Sequence, residues 1–124
     1  MQFNILVVDL KSLRLLEKLN LSGNNIKTYS LLNSNQKLRQ LDLSSNGISG
    51  LSDISGLKDL RTLDLSRNII SSISLAEKCL PSSLVSLDLT ENEIEDLCEV
   101  SCGRFQSNLF TFFCVVDFLF TIFV

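Results

Sequence analysis

One pattern recurs through the middle of this 124-residue chain and limits what it can fold into. Leu16-Glu-Lys-Leu19-Asn-Leu21-Ser-Gly-Asn24-Asn-Ile26 aligns with Leu38-Arg-Gln-Leu41-Asp-Leu43-Ser-Ser-Asn46-Gly-Ile48. Leu60-Arg-Thr-Leu63-Asp-Leu65-Ser-Arg-Asn68-Ile-Ile70 and Leu84-Val-Ser-Leu87-Asp-Leu89-Thr-Glu-Asn92-Glu-Ile94 follow in the same frame. All four fit L-x-x-L-x-L-x-x-N-x-[LI], and the asparagines recur at steps of 22, 22 and 24 residues. A period of this length marks a chain built by stacking one small unit on the next. No unit buries its apolar face alone.

The chemistry of the pattern predicts the unit. In L-x-L, alternate side chains of a strand point to opposite faces. Leu19 and Leu21, Leu41 and Leu43, Leu63 and Leu65, and Leu87 and Leu89 are therefore expected to point inward. Successive strands pair in parallel, and parallel pairing needs a crossover, here the stretch from each asparagine to the next leucine. Leu51, Ile54, Leu57, Ile73 and Leu80 are spaced by about three, which suits 3₁₀ or short helical turns. The two extra residues of the last step fall near Cys79-Leu80-Pro81, where Pro81 bars a regular helix from running on. The fold class expected is an α/β solenoid. It has a short parallel β-sheet on its concave face and 3₁₀ or short helical turns on its convex face.

The asparagines Asn24, Asn46, Asn68 and Asn92 have a structural reading. After each strand the backbone turns and leaves amides and carbonyls facing inward. A carboxamide carries donors and an acceptor that satisfy them, so the four are expected to form an internal ladder.

Outward strand positions form columns. One is Lys18, Gln40, Thr62 and Ser86; the next is Asn20, Asp42, Asp64 and Asp88; a third is Ser22, Ser44, Ser66 and Thr90. Glu17, Arg39, Arg61, Arg67 and Glu91 flank them. Lys18, Asn20, Arg39, Gln40, Asp42, Arg61, Thr62, Asp64, Arg67, Asp88 and Glu91 are the candidate partner-binding residues. The aspartate column has two readings, an acidic stripe for a basic partner segment or a slot filled by repeat consensus beside the serine column. Strand spacing holds its carboxylates too far apart for a compact metal cage. No tryptophan is present and Tyr29, the one tyrosine, falls on a crossover. Arg39, Arg61 and Arg67 are thus the best anchor candidates.

Composition excludes much else. The net charge of −3 is spread with both signs interspersed, without the clustered basic face that nucleic acid requires. The absence of histidine removes Ser-His and Cys-His pairs and imidazole-dependent zinc sites. No glycine-rich phosphate loop or paired nucleophile and base is present, so no catalysis, cofactor or small-molecule substrate is expected. Cys79, Cys98, Cys102 and Cys114 form no C-x-x-C and read as free thiols, the alternative being a disulfide-capped secreted repeat protein, which would need a signal peptide. The start lacks a basic region and a long apolar run, so a cytoplasmic location is expected.

The chain divides into three. Residues 1–15 read as the degenerate back end of a preceding repeat, 16–101 as four repeats, and 102–124 as a Phe-rich hydrophobic tail. Seven of the eight phenylalanines follow residue 104. Three readings fit the tail: residues translated from T-rich non-coding DNA, a capping element, or a membrane anchor. The apolar run 109–124 is short for a span of about 20 residues and carries Asp117. A membrane is therefore not expected unless 109–124 is a genuine anchor.

The repeats, with isoleucine after the asparagine in Asn24-Asn-Ile26, Asn46-Gly-Ile48 and Asn92-Glu-Ile94, resemble the SDS22-like leucine-rich repeat class over residues 10–97. The order of the blocks looks like the middle of the repeat domain of a centrosomal scaffold family. It runs from Leu10-Lys-Ser-Leu13 to Asn68-Ile-Ile70, Leu80-Pro81-Ser82-Ser83-Leu84 and Glu91-Asn92-Glu93-Ile94-Glu95-Asp96-Leu97. That resemblance implies a non-catalytic module at the centriole, with a centriole-capping coiled-coil protein as partner and a role in restraining cilium assembly. The alternative implied is a phosphatase-regulating repeat protein of the SDS22 type or a generic repeat adaptor.

Overall fold

A computed structural model describes residues 14–94 and the backbone of two strands, Phe112–Val116 and Leu119–Phe123. The expected rungs are β1 (Lys18–Asn20), β2 (Gln40–Asp42), β3 (Thr62–Asp64) and β4 (Ser86–Asp88). They pair in parallel and in strict repeat register, Leu19 beside Leu41, Leu63 and Leu87. Each strand is only three residues long because the turn that follows bends the chain off the sheet.

The sheet continues into the Phe-rich tail. β5 (Phe112–Val116) joins β4 in parallel, with Leu87 opposite Cys114, and β6 (Leu119–Phe123) returns antiparallel to β5. The rung β5 arrives 27 residues after β4 and carries no L-x-L-x-x-N signature. Most of residues 1–15 and the rest of the tail lie outside the described residues, as do Cys98 and Cys102. Cys79 is a free thiol.

Inward leucines make one continuous core. Leu41, Leu43, Leu63, Leu65, Leu87 and Leu89 are all buried, whereas Leu19 on the first rung is half-buried. Burying each such side chain contributes about 1.5–3 kcal/mol. From the other side Leu32, Ile54, Leu57, Ile70 and Ile73 close on them, with Leu51 and Leu80 packed at the margin.

The crossovers are tight turns more than helices. The first holds a 3₁₀ helix, Ser30–Ser34, and the third a single helical turn, α1 (Ala76–Cys79). Elsewhere amides reach back three residues, Leu57 to Ile54 and Leu60 to Leu57 at 3.0 and 3.2 Å. These spacings put an apolar side chain inward every third residue. α1 ends before Pro81, with Leu80 extended at ψ 143°, the conformation a following proline imposes.

Two polar residues interrupt the convex core. Asn35 is buried at the place in its repeat that Leu57 fills in the next. Tyr29, 1% exposed, stands where the following repeats carry Leu51 and Ile73. Its hydroxyl has no partner in hydrogen-bonding geometry. Burial pushes its pKa up to about 12, against a smaller pull downward from the Ser52 backbone.

The sign of the consequence is fixed. Below pH 10 the phenol is neutral in both states and its burial is unopposed. Above pH 10 the unfolded chain loses the proton while the folded chain keeps it. Stability therefore falls from about pH 10 to about pH 12, by on the order of 2–3 kcal/mol. Tyrosinate absorbance, from this single tyrosine, should rise near pH 12 in the native protein and near pH 10 in urea. Tyr29→Phe should flatten the alkaline stability loss at little cost at pH 7, because the hydroxyl it removes has no partner.

Candidate functional site

The turn after each strand decides which side chains remain for a ligand. At the strand end, Asp42 Oδ1 accepts the Ser44 amide at 2.9 Å and the Ser44 hydroxyl at 2.6 Å. Asp64 does the same for Ser66, and Asp88 for Thr90. Asn20 Oδ1 accepts the Ser22 amide at 2.9 Å. A short side chain that captures its own backbone two residues on makes an Asx turn. The aspartate column is therefore committed to bending the chain, which accounts for the pairing of aspartate with serine or threonine in three rungs.

Next comes a residue in left-handed conformation. Gly23, Ser45, Arg67 and Glu91 have φ between 53° and 70°. Only Gly23 holds this conformation without a steric cost; the others store about 1 kcal/mol or more each. Arg67 and Glu91 thereby project from the far rim of the sheet, where they pair with one another at 3.3 Å with side chains about two-thirds exposed. Such an exposed pair contributes little stability.

The ladder asparagines follow. Asn46 Oδ1 accepts the amides of Asn24 and Ile26, both at 2.9 Å. Its Nδ2 donates to Leu43 O, Ser44 O and, across to the preceding rung, Leu21 O. Asn68 joins Ile48 N and Leu43 O of the preceding rung to Leu65 O and Ser66 O of its own. Asn92 repeats the pattern with Ile70 N, Leu65 O, Leu89 O and Thr90 O. Asn68 is buried, whereas Asn24, Asn46 and Asn92 are half-buried. Asn24 Nδ2 donates to Ser22 O of its own rung at 3.1 Å, and Asn46, Asn68 and Asn92 are committed to the ladder.

What remains is the sheet face before the turns. Register places Lys18, Gln40, Thr62 and Ser86 in one column and Asn20, Asp42, Asp64 and Asp88 in another. Together they line an open trough of about 510 Å³. Lys18, Gln40 and Thr62 are exposed. At the leading rim a further column forms. The Arg39 amide donates to Glu17 O, Arg61 to Arg39 O and Val85 to Arg61 O, so Glu17, Arg39, Arg61 and Val85 stand on successive rungs. All four are exposed. The aspartate–hydroxyl bonds and the left-handed positions depend on turn geometry and are not visible in residue spacing alone.

Among the described residues, no three of His, Cys, Asp or Glu group to hold a metal ion, and no helix is long and apolar enough to cross a membrane. Burial pushes the Cys79 thiol pKa up, a shift that nearby Asp53 reinforces and Lys78 opposes.

A parallel-stranded solenoid with one open sheet face defines a class of repeat proteins built to present a surface. A profile described as Leucine Rich repeats (2 copies) matches residues 14–59 and 36–77, and one described as Leucine Rich repeat matches 81–97. The chain belongs to the leucine-rich repeat family. Solved structures agree. A leucine-rich repeat protein of Leptospira interrogans superposes with a TM-score of 0.72 at 28% identity, over 94% of this chain and 29% of that one. Internalin C2 of Listeria monocytogenes gives 0.66 at 29%, over 86% of this chain and 44% of that one. A second Listeria internalin gives 0.67 at 25%, over 89% and 30%. The chain thus spans less than half the length of these structures. No curated protein matches it.

The commitment of the aspartates to the turns is testable. Asp64→Asn keeps an acceptor for the Ser66 amide and should change stability by less than about 1 kcal/mol. Asp64→Ala leaves that amide without its partner and should cost about 1–2 kcal/mol. Urea denaturation of both variants measures the difference.

Proposed function

We propose that this chain is a non-catalytic protein-interaction module of a centrosomal scaffold, located in the cytoplasm at the centriole and linked to restraint of cilium assembly. Its partner in this reading is a centriole-capping coiled-coil protein. The observation that carries the binding role is the exposed sheet face. Lys18, Gln40, Thr62, Arg39 and Arg61 are solvent-facing, and none is needed to close a turn or fill the core. Leucine-rich repeat proteins in general serve as non-catalytic interaction modules, and this chain has the family's sheet. The centrosomal part rests on the order of the blocks, with the Cys79-Leu80-Pro81 insertion ahead of the fourth repeat.

The binding unit in this reading is residues 16–101, with 1–15 as the back of a preceding repeat. Within the tail 102–124, the strands Phe112–Val116 and Leu119–Phe123 serve in this reading as a cap on the last rung. Isoleucine after the ladder asparagine favours a second reading, a phosphatase regulator of the SDS22 type, which would use the same face.

A fluorescent fusion of the full chain should concentrate at centrosomes in dividing cells and co-purify with the capping protein. Gln40→Trp with Thr62→Trp places bulk on the exposed face without touching the core. It should abolish capture while the circular dichroism spectrum stays native. Capture of a phosphatase catalytic subunit in place of the capping protein would establish the second reading.

A further inference from the structure

The leading-rim column has a charge pattern that the fold does not use. Arg39 and Arg61 stand on adjacent rungs of a parallel sheet, about 4.8 Å apart at the backbone. Both are exposed. Among the described residues, neither Arg39 nor Arg61 meets a carboxylate. Two like charges on neighbouring strands repel. The aspartates two columns over are turned to their own hydroxyls and amides. Glu17 precedes the pair in the column, and Val85, 43% exposed, follows it.

We infer that this rim binds an acidic peptide segment lying across the strands, with two neighbouring carboxylates on Arg39 and Arg61 and an apolar residue on Val85. This rests on the reading of the sheet face as an interaction surface and names its ligand chemistry. Arginine suits the role because its planar fork takes a carboxylate with two parallel hydrogen bonds. Glu17 sets the direction, because an acidic residue placed beyond Arg39 would meet a like charge. The Arg67–Glu91 pair lies on the opposite rim and takes no part.

Fluorescent peptides rich in Glu with a terminal Leu, rich in Lys, and neutral in Ser and Gly would be titrated against the full chain. The acidic peptide should bind, weaken with added salt as exposed ion pairs do, and lose about tenfold or more in affinity in Arg39→Gln with Arg61→Gln. Arg67→Gln should leave its affinity unchanged. Preference for the Lys-rich peptide, or acidic binding indifferent to the double variant, overturns the inference, as does absence of binding to all three. Centrosomal recruitment of the chain, scored separately, decides whether the interaction reading stands when the peptide result fails.

Discussion

Turning the chain out of a three-residue strand leaves backbone amides and carbonyls facing an apolar interior, and one carboxamide per rung satisfies them. Asn68 takes the amide of Ile48 and the carbonyl of Leu43 from the rung before, and two carbonyls from its own. Without such a bridge, each of these groups would carry a desolvation cost of about 1–3 kcal/mol. The asparagine therefore makes the short turn possible, and the short turn makes the repeat short enough to stack. The leucine core and the parallel sheet both follow from that stacking.

The same turn governs the surface. Because the aspartates close Asx turns and the next residues are left-handed, the far end of each strand is occupied by structure. The near end, with Arg39, Arg61 and Val85, is not. One half of each strand shapes the solenoid, and the other is left exposed.

The rungs, their register and the inward leucines were legible in the sequence because one period specifies all three. The convex turns were legible as a spacing of three, although the 3₁₀ helix is confined to the first crossover. Other features were not. Asn35 sits buried where the next repeat has leucine, and Tyr29 where the next two have leucine and isoleucine; such slots are defined by volume, which spacing does not encode. The left-handed backbone at Ser45, Arg67 and Glu91 is hidden because these are not glycine. The parallel rung at Phe112–Val116 lacks the motif, so no periodic argument reaches it. Within the candidate face, the residues could be placed in columns from the period. Which of them the turns consume required the hydrogen bonds.

The side chains of Asn46, Asn68 and Asn92 each bind their rung to the one before it. The amides of Ile26, Ile48 and Ile70 report it directly, since each donates to a carboxamide oxygen and to no backbone carbonyl. Native-state hydrogen exchange should find them as slow as the rung-to-rung amides of Leu43 and Leu65 just past the strands, opening only when the whole repeat array unfolds. Exchange of these three amides near the rate of exposed turn amides, with those of Leu43 and Leu65 still protected, would contradict it.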